Sequence, residues 1–176
     1  LADMPQSEGA ALAKELNGQP GRCLFIQCDV TSSAQVDHMV SETVKQLGSV
    51  DVVFNNAGIG GLSPVEDLTD DDYLRIIDIN LNGVFRVARA SLRQMYQQGS
   101  GSLINCACIL GTLGQSGTVA YSSAKGGVVN MTRTLAIEAA PRGVRVNSVG
   151  PGYIDTPLLK RSEEHTSELQ SHSGIS

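Results

Sequence analysis

The stretch Ser102-Leu-Ile-Asn-Cys106-Ala-Cys108-Ile-Leu-Gly-Thr-Leu-Gly-Gln-Ser-Gly-Thr-Val119-Ala-Tyr121-Ser-Ser-Ala-Lys125 runs from a short apolar segment through a glycine-rich loop into a helical pattern. Ser102 to Cys106 has the length and boundaries of a strand buried on both faces of a parallel sheet. From Val119 onward Ala124, Val128, Met131 and Leu135 recur at spacings of three and four, which puts them on one stripe of a helix. A strand that leads into a helix is half of a crossover unit, so the neighbouring segments decide whether the unit repeats.

It does repeat. Similar apolar runs occupy Cys23 to Ile26, Val50 to Phe54 and Val144 to Val149. Between them Leu12 and Leu16 share a helical face, as do Val36, Val40, Thr43 and Leu47, and then Leu74, Ile77, Phe85, Ala88, Leu92 and Met95. Thr31 and Ser32 precede the second helix and Gly48 follows it, and Thr69 with Asp72 forms a capping-box pattern before the third. Alternation of strand and helix with short connections predicts right-handed crossovers and an α/β, Rossmann-type doubly wound parallel sheet, with a ligand at the carboxyl ends of the strands. Leu1-Ala-Asp3 reads as the end of a further strand. No glycine-rich strand-to-helix turn is present, and Gly58-Ile-Gly60-Gly61 lacks the phosphate-binding order and reads as a loop close to a ligand.

The chain has 176 residues with 41% hydrophobic and 18% charged content, which suits one folded domain. A net charge of -5 provides no basic field for nucleic acid or anionic lipid. No apolar run reaches the roughly 20 residues of a membrane span, so a cytoplasmic location is expected. Cys23, Cys28, Cys106 and Cys108 have neither zinc-site nor disulfide-scaffold spacing and read as buried thiols, with no metal site expected.

Tyr121 and Lys125 lie four residues apart, about one turn, and project from the same side of their helix. A phenol has an ordinary pKa of about 10, and a nearby ammonium lowers it by stabilising the phenolate. The pair therefore suits general acid-base work on an alcohol and carbonyl couple, though the same spacing also fits an amphipathic helix with a surface lysine.

With Asn55-Asn-Ala-Gly58 after a strand, Asn80 within Asp78-Ile-Asn-Leu-Asn-Gly83, Tyr121 with Lys125, and Pro151-Gly152 with Thr156 after the next strand, residues 1–160 resemble the classical short-chain dehydrogenase/reductase family. The resemblance implies that Tyr121 exchanges a proton with substrate. It also implies that Lys125 holds the nicotinamide ribose and lowers the tyrosine pKa, and that Asn80 sits at a helix kink and relays protons through water. It places Asp29 and Val30 at the adenine, Asn55, Ala57 and Gly58 along the cofactor, and Pro151, Gly152, Ile154 and Thr156 at the nicotinamide end. Asp3, ending its strand, is either an acceptor for the ribose hydroxyls of NAD, disfavouring NADP, or a solvated loop aspartate. A small carbonyl or alcohol substrate and a homodimer or homotetramer are implied by resemblance alone. Neither the 3-oxoacyl reductase branch nor the sugar and secondary-alcohol dehydrogenase branch is singled out.

The sequence departs from that pattern in three ways. The family's substrate-orienting serine lies thirteen residues before its tyrosine, and that position holds Cys108, a weaker hydrogen-bond donor. Residues 161–176 open on Arg161-Ser-Glu-Glu-His165, which resembles translated sequencing adapter or a disordered tail. Against the family strand order 3-2-1-4-5-6-7, the first and last strands are missing, so an interior fragment with a split, poorly stable sheet is expected. Catalytic impairment, or no function of its own, is the alternative to an enzyme.

Overall fold

The computed structural model describes residues 1–154 apart from Gln19. Thr156, the segment after Pro157 and the 161–176 tail lie outside the described residues. The elements alternate as the sequence predicts: β1 (Ala2–Asp3), α1 (Gly9–Leu16), β2 (Ile26–Gln27), α2 (Ser33–Leu47), β3 (Val52–Asn55), α3 (Asp70–Ile77), a π-helical turn (Asp78–Gly83), α4 (Val84–Gln98), β4 (Gly101–Cys106), α5 (Val119–Ala139) and β5 (Val144–Val149). Helix boundaries follow local chemistry. Ser32 accepts a hydrogen bond from the Gln35 backbone N–H at the start of α2, and Gly48 closes it at φ +95°, a conformation glycine adopts without a Cβ penalty. Thr69 Oγ1 accepts from Asp72 N (3.1 Å) and donates to Asp72 Oδ2 (2.8 Å), so the N-cap half of the expected capping box forms, while the Asp72 carboxylate takes the Thr69 hydroxyl and not its backbone N–H.

All strand pairs are parallel, but they make two sheets, β1-β2 and β3-β4-β5. This is the Rossmann-type arrangement divided at the place where the family order puts its first strand. In the larger sheet the register sets Val53 beside Leu103 and Leu103 beside Val146. These three pack with Val87, Leu92 and Met95 of α4, Leu135 and Ala139 of α5, and Val36 and Val40 of α2, in one core. The opposite face carries Val52, Phe54, Arg145 and Asn147, all exposed. Burial on both faces, expected from the apolar runs, is approached only in the central β4, where Ser102 is buried and Ile104 half-buried on that face, and is not met in β3 and β5.

Three further expectations need correction. The strand expected at Cys23 to Ile26 is confined to Ile26–Gln27, because Asn17 at the end of α1 holds Cys23 by both backbone groups: Oδ1 accepts from Cys23 N (2.9 Å) and Nδ2 donates to Cys23 O (2.6 Å). Leu12 and Leu16 are exposed and α1 buries Ala13 instead, since two two-residue strands provide little surface to cover. Leu74 and Phe85 are also exposed. The wide π turn shifts the helical phase, so buried positions run Ile76, Asn80, Val84, Val87 and Ala88 rather than along the stripe counted straight through.

Candidate active site

The π turn sets the first wall of the site. Its extra residue per turn breaks the regular i to i−4 ladder, and the side chain of Asn80, fully buried, takes up the loose ends. Asn80 Nδ2 donates to Ile76 O and to Ile59 O, each at 3.0 Å, and its Oδ1 accepts from Ile59 N at 3.1 Å. The helix is thereby fastened to the loop that follows β3. The approach is close enough that a Cβ on Gly58 would come 2.6 Å from Asn80 Oδ1, so glycine is required there.

The second wall comes from the ends of β4 and α5. β4 finishes at Cys106, and Cys108 continues in extended backbone (φ −163°, ψ 158°) before a short 3-10 turn. α5 begins at Val119, as its pattern predicts, and presents Tyr121 and Lys125 toward those two cysteines. Lys125 is 3% exposed and donates from Nζ to Cys106 O at 2.8 Å. The buried asparagine pair below braces the wall. Asn55 Nδ2 donates to Val84 O (2.9 Å) and Asn105 Oδ1 (3.1 Å), while Asn105 Nδ2 donates to Thr132 Oγ1 (2.9 Å), joining β3, β4, α4 and α5.

Between the walls is a cavity of about 520 Å3 at the carboxyl ends of β3, β4 and β5, lined by Gly58, Asn80, Cys106, Cys108, Tyr121 and Lys125, with Pro151, Gly152 and Ile154 beyond β5. Those positions, singled out from the sequence, come together. Others stand apart. Asn55 is turned into the interior, and the neighbouring Asn56 lines the cavity in its place. Ala57 is exposed beside it. Val30 packs on the π turn, where a Cβ on Gly83 would meet its Cγ2 at 2.7 Å. Asp29 caps its own turn, accepting from Thr31 N and Oγ1 at 2.8 Å each. Asp3 is exposed at the end of β1 and accepts from Met4 N at 2.7 Å. Leu62, Leu110, Gln115, Thr118 and Tyr153 also line the cavity and were not singled out. The hydrogen bond from Tyr153 Oη to Gln115 Oε1 (2.6 Å) joins positions 38 apart, and a local reading of sequence has no signal for it.

The electrostatics differ from the expected tuning. Lys125 Nζ lies 5.6 Å from the centroid of the Tyr121 ring, over the ring, and is committed to Cys106 O. Burial, followed by charge and hydrogen bonding at Cys108, holds the Tyr121 phenol well above its ordinary pKa, so the expectation that Lys125 lowers it is corrected. Burial pulls the Lys125 ammonium below its ordinary pKa. The cysteines are free thiols, and only Cys28 is fully buried, its pKa raised first by desolvation and then by Asp29. The other three are half-buried, a departure from four buried thiols. Among the described residues no helix is long and apolar enough to cross a membrane.

The chain belongs to the short chain dehydrogenase family, whose sequence profile matches residues 1–167. Among curated relatives it is 47% identical over 143 residues to the (5R,7aS)-5-hydroxy-7a-methyl-1-oxo-2,3,5,6,7,7a-hexahydro-1H-indene-carboxyl-CoA reductase of Mycobacterium tuberculosis, covering 81% of this chain and 55% of that protein. It is 35% identical over 166 residues to the 3-oxoacyl-(acyl-carrier-protein) reductase FabG of Thermotoga maritima, covering 94% of this chain and 68% of that protein. Among solved structures, NAD+-bound xylitol dehydrogenase superposes with a TM-score of 0.89 at 34% identity, covering 99% of this chain and 66% of that one. The chain thus spans between 55% and 68% of the length of these relatives.

Proposed function

We propose that the protein containing this chain is a nicotinamide-dependent oxidoreductase that interconverts a ketone and a secondary alcohol. The observation that carries this reading is the meeting of Tyr121, Lys125 and Asn80 on one cavity at the strand ends. Burial keeps the Tyr121 phenol neutral, which makes it a proton donor to a carbonyl oxygen in the reductive direction. Lys125 spends one of its three N–H donors on Cys106 O, leaving two for hydroxyl groups of a ligand. Asn80 is a positioning residue that holds the Ile59 loop against the helix. Leu62, Leu110 and Ile154 make much of the wall apolar, which suits an apolar carbonyl compound.

A nicotinamide dinucleotide fits these residues. Gly58 brings bare backbone to within a Cβ's width of Asn80, and the exposed Asp3 carboxylate has one oxygen engaged by Met4 N and the other free of partners among the described residues. When bound, the nicotinamide supplies or accepts the hydride. Asp3 would accept hydrogen bonds from the adenosine ribose and favours NAD over NADP, Asp29 and Val30 would border the adenine, and Gly58, Lys125, Pro151, Gly152 and Ile154 would line the rest, with Thr156 in the same proposal. Cytoplasmic location and a homodimer or homotetramer belong to it too. The test is consumption of NADH and NADPH by the full-length protein with a panel of cyclic and acyclic ketones. Turnover with NADH, lowered at least about a hundredfold in Tyr121→Phe, is expected. No turnover with either cofactor would sink the reading.

A second reading, a nucleotide-binding protein with impaired chemistry, is favoured by one observation, the thiol at Cys108. It predicts a melting shift with NAD in the full-length protein without turnover of any ketone.

A further inference from the structure

Outside its use as a substrate pocket, the cavity holds a combination of groups that proton and hydride exchange does not require. A half-buried thiol, Cys108, and a neutral phenol, Tyr121, line the same cavity, and charge at Cys108 adds to the burial that raises the phenol's pKa. The ammonium of Lys125 lies on the same wall, and the sulfurs of Cys106 and Cys108 are both within its electrostatic reach. No carboxylate lines the cavity among the described residues. A conjugated carbonyl has its oxygen and its electrophilic β-carbon at opposite ends of a four-atom unit. Tyr121 and Cys108 present an acid to one end and a nucleophile to the other.

We propose that Cys108 is a covalent capture site for α,β-unsaturated carbonyl compounds, with Tyr121 as the proton donor to the enone oxygen. In the step, a sulfur lone pair forms the S–C bond to the β-carbon, and the C=C π pair shifts so that negative charge develops on the oxygen. The Tyr121 proton passes to that oxygen, and the thiol proton restores the phenol through solvent. Tautomerisation of the enol leaves a saturated ketone thioether, with no leaving group and no oxidant or reductant. Lys125 adds positive charge beside the developing enolate. Of the other thiols, Cys28 is buried in the core and Cys23 is held by Asn17, neither lining the cavity, whereas Cys106 lines it too but turns its thiol to Ala107 O at 3.8 Å.

The test is peptide mapping by mass spectrometry of the full-length protein exposed to cyclohex-2-en-1-one at neutral pH. The adduct on Cys108 is expected to form at least about tenfold faster than on Cys23, a ratio that collapses in urea. Tyr121→Phe is expected to slow enone addition to Cys108 about tenfold or more, while iodoacetamide alkylation of the same sulfur, which needs no proton donor, stays within about twofold. Enone addition to Cys108 no faster than to Cys23, or an equal effect of Tyr121→Phe on both reagents, overturns the proposal, as does selectivity that survives urea. The readout needs neither cofactor nor turnover, so its failure leaves the oxidoreductase reading standing, and the reverse holds.

Discussion

A thiol donates a weaker and longer hydrogen bond than a hydroxyl, and under the proposed function Cys108, on the cavity wall with Tyr121, would be the donor that holds the substrate carbonyl. Removing one donor to a developing oxyanion costs about a hundredfold to a thousandfold in kcat, and a thiol retains part of that contribution, so Cys108→Ser in the full-length protein is expected to raise kcat roughly ten- to a hundredfold. Steady-state reduction of a ketone checks it, and equal turnover of the two proteins would show that position 108 does not orient substrate. Tyr121 provides a second expectation. Its folded pKa is raised, chiefly by burial. Between the unfolded value near 10 and the higher folded value, the unfolded chain has lost a proton that the folded chain keeps, so stability falls as pH rises through that window. Removing the phenol removes the effect: the melting temperature of the wild type relative to Tyr121→Phe should drop between about pH 9 and pH 11 and be level below that. A flat difference would contradict the burial argument. Tyr121 and Lys125 were legible in sequence because their spacing is local and their chemistry paired. The direction of the tyrosine shift was not, since it is set first by burial and then by Cys108, thirteen positions away, and both are products of packing.

At the scale of elements, the decisive feature is the π turn between α3 and α4. Asn80 is fully buried and satisfies three backbone groups, Ile76 O, Ile59 O and Ile59 N. Asn80→Ala leaves them without this partner, and with each such group costing about 1–3 kcal/mol and the adjoining cavity able to hydrate some of them, a loss of about 3 kcal/mol overall is expected by urea denaturation. Asn80→Asp, which sets a buried carboxylate against Ile76 O and Ile59 O where the amide donated, should cost at least as much. If alanine costs under about 1 kcal/mol, the turn is held by packing and not by this side chain. The helix as a whole was readable from its spacing, and the turn within it only through the family resemblance, which implies a kink at Asn80. Leu74 and Phe85 were assigned to the buried stripe although both are exposed, because spacing gives the face of a helix without saying how wide a part of it is covered. The same limit hid the Asn55, Asn105 and Thr132 network, whose members are 50 and 27 positions apart. Asn55 was read as facing a ligand, whereas it braces the wall that faces one.

At the scale of the whole molecule, the order of strands was readable and the covering of the sheet was not, because apolar runs report that a strand is buried without reporting by what. β3 and β1 each have an unpaired edge, and the face of β3 that carries Val52 and Phe54, 65% and 57% exposed, has no helix over it among the described residues. Unpaired strand edges beside exposed apolar side chains are templates for pairing between chains. The 176-residue chain should therefore self-associate with rising concentration, as read by light scattering. Phe54→Lys, which puts a charge on the open face without touching the Val53 side of the core, should suppress it. Melting should reflect the same division. With NAD near its dissociation constant, mass action adds only about 0.4 kcal/mol, a shift on the order of 1 °C for a chain of this size. A longer chain that supplies a parallel strand between β1 and β3 should melt more cooperatively and shift further, since both sheets would then unfold as one unit and Asp3 would be fixed relative to Lys125. A monodisperse 176-residue chain with a sharp transition, unchanged by Phe54→Lys, would mean that the two sheets already behave as one and that the open edge of β3 is satisfied in some other way.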